Sequence, residues 1–310
     1  MRIAITGGAG FIGSHLADRL LDGGHSVLVV DDFDTGRREN VPDHPDATLV
    51  EGSIVDADLV EESFTSFEPD VVVHAAASYK DPDAWAKDMT VNGVGAVNVV
   101  RAARAAGTDR IVYFQTALCY GVRPIEQPVT LDHPIRPDSS YAISKTAAEQ
   151  VIASSGLDFV SFRLANAYGP RNVSGPLPTF YQRLSEGRPC FVMETRRDFI
   201  FVRDLVDVVV PAVVEGRGHG FYHASSGSDY PIEDLFRATL RAMGRDPDEE
   251  VEIRPRTEDD AATILLDPSR IQEDFDWSPS TPLDEGVAAA VEWYAEHGVA
   301  EAYTHLKVGD

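Results

Sequence analysis

A doubly wound parallel α/β sheet carrying a smaller C-terminal α/β region is the fold class this 310-residue sequence predicts. Three observations predict it. Short β-branched runs alternate with helical patterns through the first half. A glycine-rich turn joins the first strand to the first helix. After Tyr168 the texture changes to Gly- and Pro-rich segments with shorter elements. The length suffices for one large core with a companion.

Six runs read as strands: 2–6 (RIAIT), 26–30 (SVLVV), 47–52 (ATLVEG), 70–75 (DVVVHA), 110–115 (RIVYFQ) and 158–164 (DFVSFRL). Between them, stretches such as FIGSHLADRLL and VGAVNVVRAARAAG place apolar residues three and four apart, the spacing of an amphipathic helix. The expected domains are a dinucleotide-binding domain over 1–168 and a substrate-binding region over 169–310. The run FIFVRDLVDVVV, 199–210, reads as a further strand and helix start, so that about 199–225 returns to the first domain.

Composition narrows the partners. With 27 basic against 51 acidic residues the net charge is -24, which repels nucleic acid and anionic membrane surfaces, so an anionic substrate needs a local basic site. Cys119 and Cys190 are the only cysteines; they make no disulfide framework and have no metal-ligand spacing around them. The chain starts directly on a strand, without a signal-peptide pattern, and has no apolar run near the ~20 residues that span a bilayer. A soluble, cytoplasmic protein without a metal is expected.

The turn TGGAGFIGSH, 6–15, spaces Gly7, Gly10 and Gly13 as G-x-x-G-x-x-G. By itself this pattern suits either a tight turn or a nucleotide site. Here a strand precedes it and an amphipathic helix follows, so the helix N-terminus offers free N–H groups to a pyrophosphate. The second strand ends in Asp31 and Asp32, with Asp31 lying 18 residues beyond Gly13. A carboxylate there accepts from a ribose hydroxyl and repels a 2′-phosphate, which selects NAD over NADP.

Residues 139–145 (SSYAISK) place Tyr141 and Lys145 four apart on a helix, hence on one face. A neighbouring ammonium stabilises a phenolate, which makes Tyr141 a candidate general base. The strand IVYFQTALCYG brings Thr116 to the C-terminal edge of the sheet, where ligands of this architecture bind. His74 within its apolar strand, and Cys119, read as packed residues.

These residues together resemble the extended short-chain dehydrogenase/reductases, and within them the nucleotide-sugar epimerases and dehydratases. The resemblance runs from Met1 to about Trp277 through TGGAGFIGSHL, Asp31, VVVHAAA (71–77), TVNGVGAVNVV (90–100), Thr116, Tyr141, Lys145, RLANAYGPR (163–171) and RRDFIFVRD (196–204). It implies a Rossmann-type fold that binds NAD through Gly7, Gly10, Phe11, Ile12, Gly13, Asp31, Asp32, Ser53, Ile54, Ala75, Ala76 and Ala77. Asn92 supports the nicotinamide end, where Tyr141 and Lys145 also touch the cofactor. The implied catalytic set is Thr116, Tyr141 and Lys145. The substrate is a nucleotide-sugar, a UDP-sugar first among them, contacted by Thr116, Asn166 and Arg197. The assembly implied is a homodimer through helices around 92–106 and 140–155.

The sequence departs from the family at three places. Ser53 replaces an Asp that holds adenine, leaving Ile54 and nearby backbone to share that role. FVMETRRD replaces a Gly-rich turn before the Arg-Asp pair. RPRTEDD leaves Arg254 and Arg256 both eligible as the second phosphate cation, of which Arg256 is carried forward. Family members that dehydrate or decarboxylate carry carboxylates just after the catalytic Thr or Ser, whereas this chain has Ala117 and Leu118. The expected reaction is therefore epimerisation at C4. Dehydration, decarboxylation, reduction and a non-catalytic dinucleotide sensor remain the alternatives.

Overall fold

Residues 1–79, 81, 83–256, 260–299 and 302 are described by a computed structural model. Its strands and helices are, in chain order, β1 (Arg2–Thr6), α1 (Phe11–Asp22), β2 (Ser26–Asp31), β3 (Ala47–Glu51), α2 (Ala57–Phe67) and β4 (Val71–His74). Next come α3 (Trp85–Asp88), a π-helical turn over Met89–Val94, α4 (Gly95–Ala105), β5 (Arg110–Thr116), a 3₁₀ turn over Ala117–Tyr120, α5 (Ser140–Ala153) and β6 (Asp158–Leu164). The remainder holds β7 (Asn166–Tyr168), α6 (Pro176–Ser185), β8 (Phe191–Met193), β9 (Arg196–Arg197), β10 (Phe199–Phe201), α7 (Val202–Val214) and β11 (Gly220–Ala224). It ends with β12 (Tyr230–Pro231), α8 (Ile232–Ala242), β13 (Glu252–Arg254), α9 (Ser269–Phe275) and α10 (Leu283–His297).

Seven strands form one parallel sheet in the order β11-β6-β5-β4-β1-β2-β3. This is the Rossmann-type arrangement, and its order reverses between β1 and β4. Helices cover both faces, so strand residues of either parity are buried and the strands read as unbroken apolar runs. Ile3, Ile5, Val27, Val29, Val71 and Val73 pack in one core layer with Leu16 and Leu20 of α1 and Leu205 of α7. Their neighbours Ala4, Leu28, Val30 and Val72 point the other way, onto Phe64 of α2, Val99 of α4 and Ile152 of α5.

The later segments form three two-stranded ladders, β10-β7, β12-β9 and β13-β8, packed with α6, α8 and α10 at the C-terminal end of the large sheet. The run 199–210 divides as β10, which pairs with β7 outside the large sheet, and the start of α7. The seventh strand of the sheet is instead β11, which lies beside β6. Among the described residues no helix is long and apolar enough to cross a membrane.

A buried polar knot fastens α5 to the sheet. Arg163 of β6 donates from Nε and Nη2 to the two carboxylate oxygens of Glu149 at 3.1 and 2.9 Å, and Ser161 Oγ donates to the same carboxylate at 2.6 Å. Arg163 Nη1 donates to the Tyr120 hydroxyl at 2.8 Å, and that hydroxyl meets His223 Nε2 of β11 at 2.6 Å. Burial lowers the His223 pKa to about 4, so its neutral ring is the partner of Tyr120. Removing one member of such a pair leaves an uncompensated buried charge. Arg163→Met is accordingly expected to destabilise the protein by about 3–5 kcal/mol, read as a lower urea midpoint. The double variant Arg163→Met/Glu149→Leu should recover part of that loss.

Candidate active site

A cavity of about 1390 Å³ runs along the C-terminal ends of the strands, across the point where the strand order reverses. Open α/β sheets bind ligands at this place. At one end lie Gly7, Gly10, Phe11, Ile12 and Gly13, where β1 turns into α1. Gly7 has φ +72°, and a Cβ on it would lie 2.5 Å from the Ala76 nitrogen; one on Gly13 would lie 2.2 Å from the Gly7 carbonyl oxygen. The turn is therefore closed to any larger residue. Gly10 caps α1 without a side chain, leaving the first-turn N–H groups facing the cavity.

Asp31 and Asp32 stand beside this turn, at the end of β2 and just beyond it. The Asp31 carboxylate is buried and accepts from the backbone N–H of Ala9 and of Phe33, both at 2.9 Å. Burial raises its pKa, and the two amide bonds oppose that rise. Ile54, Ala75, Ala76 and Ala77 line the adjoining wall. Ser53 does not: its hydroxyl turns back to accept from Val55 N–H at 3.4 Å, closing its own turn.

Toward the middle of the cavity, β5 ends at Thr116, whose Oγ1 accepts from Leu118 N–H at 3.1 Å and keeps its own proton to donate. Ser139 caps α5 by accepting from Ala142 N–H at 3.2 Å, so Tyr141 falls in the first turn and Lys145 one turn further, both on the cavity wall. The Lys145 carbonyl accepts from the Tyr113 hydroxyl and from Gln115 Nε2, each at 3.1 Å, which seats α5 on β5. The Lys145 ammonium lies 4.2 Å above the Tyr113 ring, and the Tyr79 ring lies 5.3 Å from that of Tyr141.

Asn92 is buried within the π-helical turn rather than on the wall. It accepts from Ser78 N–H at 2.8 Å and donates to the Ser78 carbonyl at 3.0 Å and to Ser144 Oγ at 2.9 Å. It thereby supports α5 through Ser144. Sequence reasoning passed over Ser78, Tyr79 and Asp88 nearby. The available signal was Asp88 four residues before Asn92, on the same helix face.

At the far end, Asn166 and Arg197 line the cavity. Asn166 donates to the Asp198 carbonyl at 3.1 Å. Arg197 donates to the carbonyls of Arg196 and Ala261 at 2.7 and 2.9 Å and pairs with Asp260. Asp260 Oδ2 is buried and has no hydrogen-bond partner among the described residues. Arg256 and Arg254 both lie off the wall. Arg256 donates to the Asp260 carbonyl at 3.1 Å, and Arg254 is spent on Glu252 at 3.0 Å and on the Phe191 ring at 3.8 Å. The segment between Arg256 and Asp260 lies outside the described residues. Arg171, Arg183 and Arg188 supply cavity cations that sequence reasoning did not assign, although Arg171 closes the RLANAYGPR run.

Comparison with known proteins finds relatives over nearly the whole chain. The profile of the NAD dependent epimerase/dehydratase family matches residues 3–227. A UDP-glucose 4-epimerase of Mycolicibacterium smegmatis is 36% identical over 315 residues, spanning 95% of this chain and 98% of that protein. Among solved structures, the Bordetella bronchiseptica enzyme WbmH in complex with NAD+ is 57% identical with a TM-score of 0.93, covering 96% of this chain and 99% of that one. WbmG of the same organism, in complex with NAD and UDP, is 42% identical with a TM-score of 0.90, over 98% and 97% of the two chains.

The site is costly to stability in a way that can be measured. Lys145 is only 3% exposed, and burial pulls its pKa from 10.5 down to about 7, against a partial upward pull from Glu149. Between these values the unfolded chain holds a proton that the folded chain lacks, so stability rises with pH across that window, and the cost is fully present below about 7. Lys145→Met is expected to melt above the parent at pH 6–7, by about 2 °C or more. The difference should shrink as the pH approaches 10.5. Equal melting gaps at both ends of the window would contradict it.

Proposed function

The chain belongs to the NAD dependent epimerase/dehydratase family, and from that premise we propose that it interconverts UDP-sugars that differ in configuration at C4. The observation that carries the reading is that Thr116, Tyr141 and Lys145 all line the one cavity, with Ala117 and Leu118 following Thr116.

The residues present fit the dinucleotide. The closed glycine turn, the free first-turn amides of α1 and the buried Asp31 carboxylate would hold its pyrophosphate and adenosine ribose. Bound there, NAD supplies a two-electron acceptor that returns the same electron pair to the sugar. Tyr141 takes the proton of the 4-hydroxyl as that carbon is oxidised and returns it when the carbon is reduced from the opposite face. Lys145 stabilises the phenolate, and Thr116 donates a hydrogen bond to the sugar oxygen. Arg197, which lines the cavity, would meet a diphosphate. Elimination of water across C5 and C6 needs a further base and acid, and neither a methyl nor an isobutyl group moves a proton.

Purified protein, given UDP-glucose, UDP-glucuronate and their C4 epimers in turn, is expected to give a C4 epimer mixture from at least one pair without net NADH, with NAD binding more tightly than NADP. Tyr141→Phe should lower turnover by about 10² or more while NAD and UDP binding persist. A 4-keto-6-deoxy product, or carbon dioxide with a pentose, would assign the chain to elimination or decarboxylation instead.

The homodimer belongs to the same reading. Met89, Val94 and Val97 are 41%, 50% and 39% exposed along the helix that flanks α5, an apolar strip that a second copy would cover. Sedimentation should show a dimer, and Val97→Arg should shift it to monomer.

A further inference from the structure

We propose that Asp88 is a positioning residue for the reaction, its carboxylate clamping the Ser78–Tyr79 segment to the first turn of α5 and thereby setting where the Tyr141 oxygen sits. The inference rests on the reading of Tyr141 as the base. Asp88, at the end of α3, is 1% exposed. One of its oxygens accepts from Ser78 Oγ at 2.8 Å and the other from Ser140 Oγ at 2.7 Å. Ser78 precedes Tyr79, and Ser140 precedes Tyr141. One carboxylate thus ties the residues that precede two phenols whose rings lie 5.3 Å apart.

Asn92 completes the clamp from the next turn. Its amide binds the N–H and the carbonyl of Ser78, so with Asp88 on the hydroxyl every polar atom of Ser78 is held. Its Nδ2 also donates to Ser144 Oγ, which donates to the Tyr141 carbonyl at 2.9 Å. Tyr141 is therefore gripped from the residue before it and at its own carbonyl, by two side chains of one helix face.

No cation among the described residues pairs with Asp88, so its burial is offset by two hydroxyl bonds alone. Such a carboxylate costs stability, and what it obtains is a fixed distance between two walls of the cavity. A displacement of about 1 Å at a reacting group costs about 10²-fold in rate. The phenol of Tyr141 has to meet both the Lys145 ammonium and the sugar hydroxyl, so its tolerance for displacement is small.

The test uses the full chain loaded with NAD. Asp88→Ala should lower kcat for the epimerised UDP-sugar pair about 10- to 100-fold, with KM and the NAD Kd changed by no more than about threefold. Asp88→Asn should restore most of the rate, because an amide accepts from one serine hydroxyl and donates to the other, which rotates to receive it. A second readout does not depend on turnover: ultraviolet titration of tyrosinate in the protein without NAD, with Tyr141→Phe as the blank. Among the described residues, Tyr79 and Tyr113 are titratable groups beside Tyr141, and Lys145 lies one turn further along α5. The Tyr141 inflection should shift in Asp88→Ala and hold its place in Asp88→Asn. Ser140→Ala, which removes one arm of the clamp, should shift both readouts in the same direction and serves if Asp88→Ala does not fold.

Wild-type kcat with an unmoved inflection in Asp88→Ala would overturn the proposal. So would equal losses in the Ala and Asn variants, or a loss confined to KM or NAD affinity. If the parent turns over none of the UDP-sugars, the epimerase reading fails, while the titration still decides the role of Asp88.

Discussion

The site depends on the seating of one helix, α5, against the sheet. Its first turn is held through Ser140 and Ser144, its middle through the Lys145 carbonyl, and its lower half through Glu149 and Arg163. Hydrophobic burial supplies the attraction between helix and sheet, with Ala148 and Ile152 in the core, but it is indifferent to small sliding. The polar bonds are directional and remove that freedom. Three hydrogen-bonded levels along one helix fix its height and rotation, and Tyr141 and Lys145 inherit both.

The same arrangement sets the electrostatics of the cavity. The Lys145 ammonium has the face of Tyr113 beneath it and no carboxylate in contact among the described residues, since Glu149 is committed to Arg163 and Ser161. An ammonium that found a direct ion pair would be stabilised, and less of its field would reach the neighbouring phenol. His74 answers the same field: its pKa falls to about 3 through burial and the nearby Lys145, so it stays neutral and meets Thr6 Oγ1 at 2.7 Å as a packed residue. Without a carboxylate in contact among the described residues, burial is left to pull the Lys145 pKa down to about 7, so its proton exchanges readily near neutral pH.

Most of the sheet was legible because parallel strands buried on both faces leave unbroken β-branched runs. The runs read at 2–6 and 158–164 coincide with β1 and β6, and that at 110–115 falls one residue short of the end of β5. The seventh strand, GFYHA, was not legible as such. It carries a glycine and a histidine among its five residues, and that histidine is buried with its two ring nitrogens against the Tyr120 hydroxyl and the Asp267 carbonyl. Local motifs likewise placed Gly7, Asp31, Thr116, Tyr141 and Lys145 along one cavity wall. Ser53 and Arg256 have side chains hydrogen-bonded within their own turns, and Asn92 reaches Ser78 and Ser144 behind the cavity wall. The motifs were silent on Asp88, whose two partners lie 10 and 52 residues away. Periodicity reports which face a residue takes, and it carries nothing about which distant hydroxyl waits there.

Charge is the other property that composition alone leaves undivided. A net charge of -24 describes a surface that repels polyanions, yet seven arginines line the cavity, Arg171, Arg183, Arg188 and Arg197 among them. The acidic exterior and the cationic interior act at different ranges. At physiological ionic strength fields are screened over about 8 Å, so an anion already inside the cavity interacts with these arginines far more than with the outer carboxylates. Arg197 is itself paired with Asp260, whose second carboxylate oxygen is buried and has no hydrogen-bond partner among the described residues. Composition therefore reports neither how many arginines the fold gathers in the cavity nor which of them is already paired.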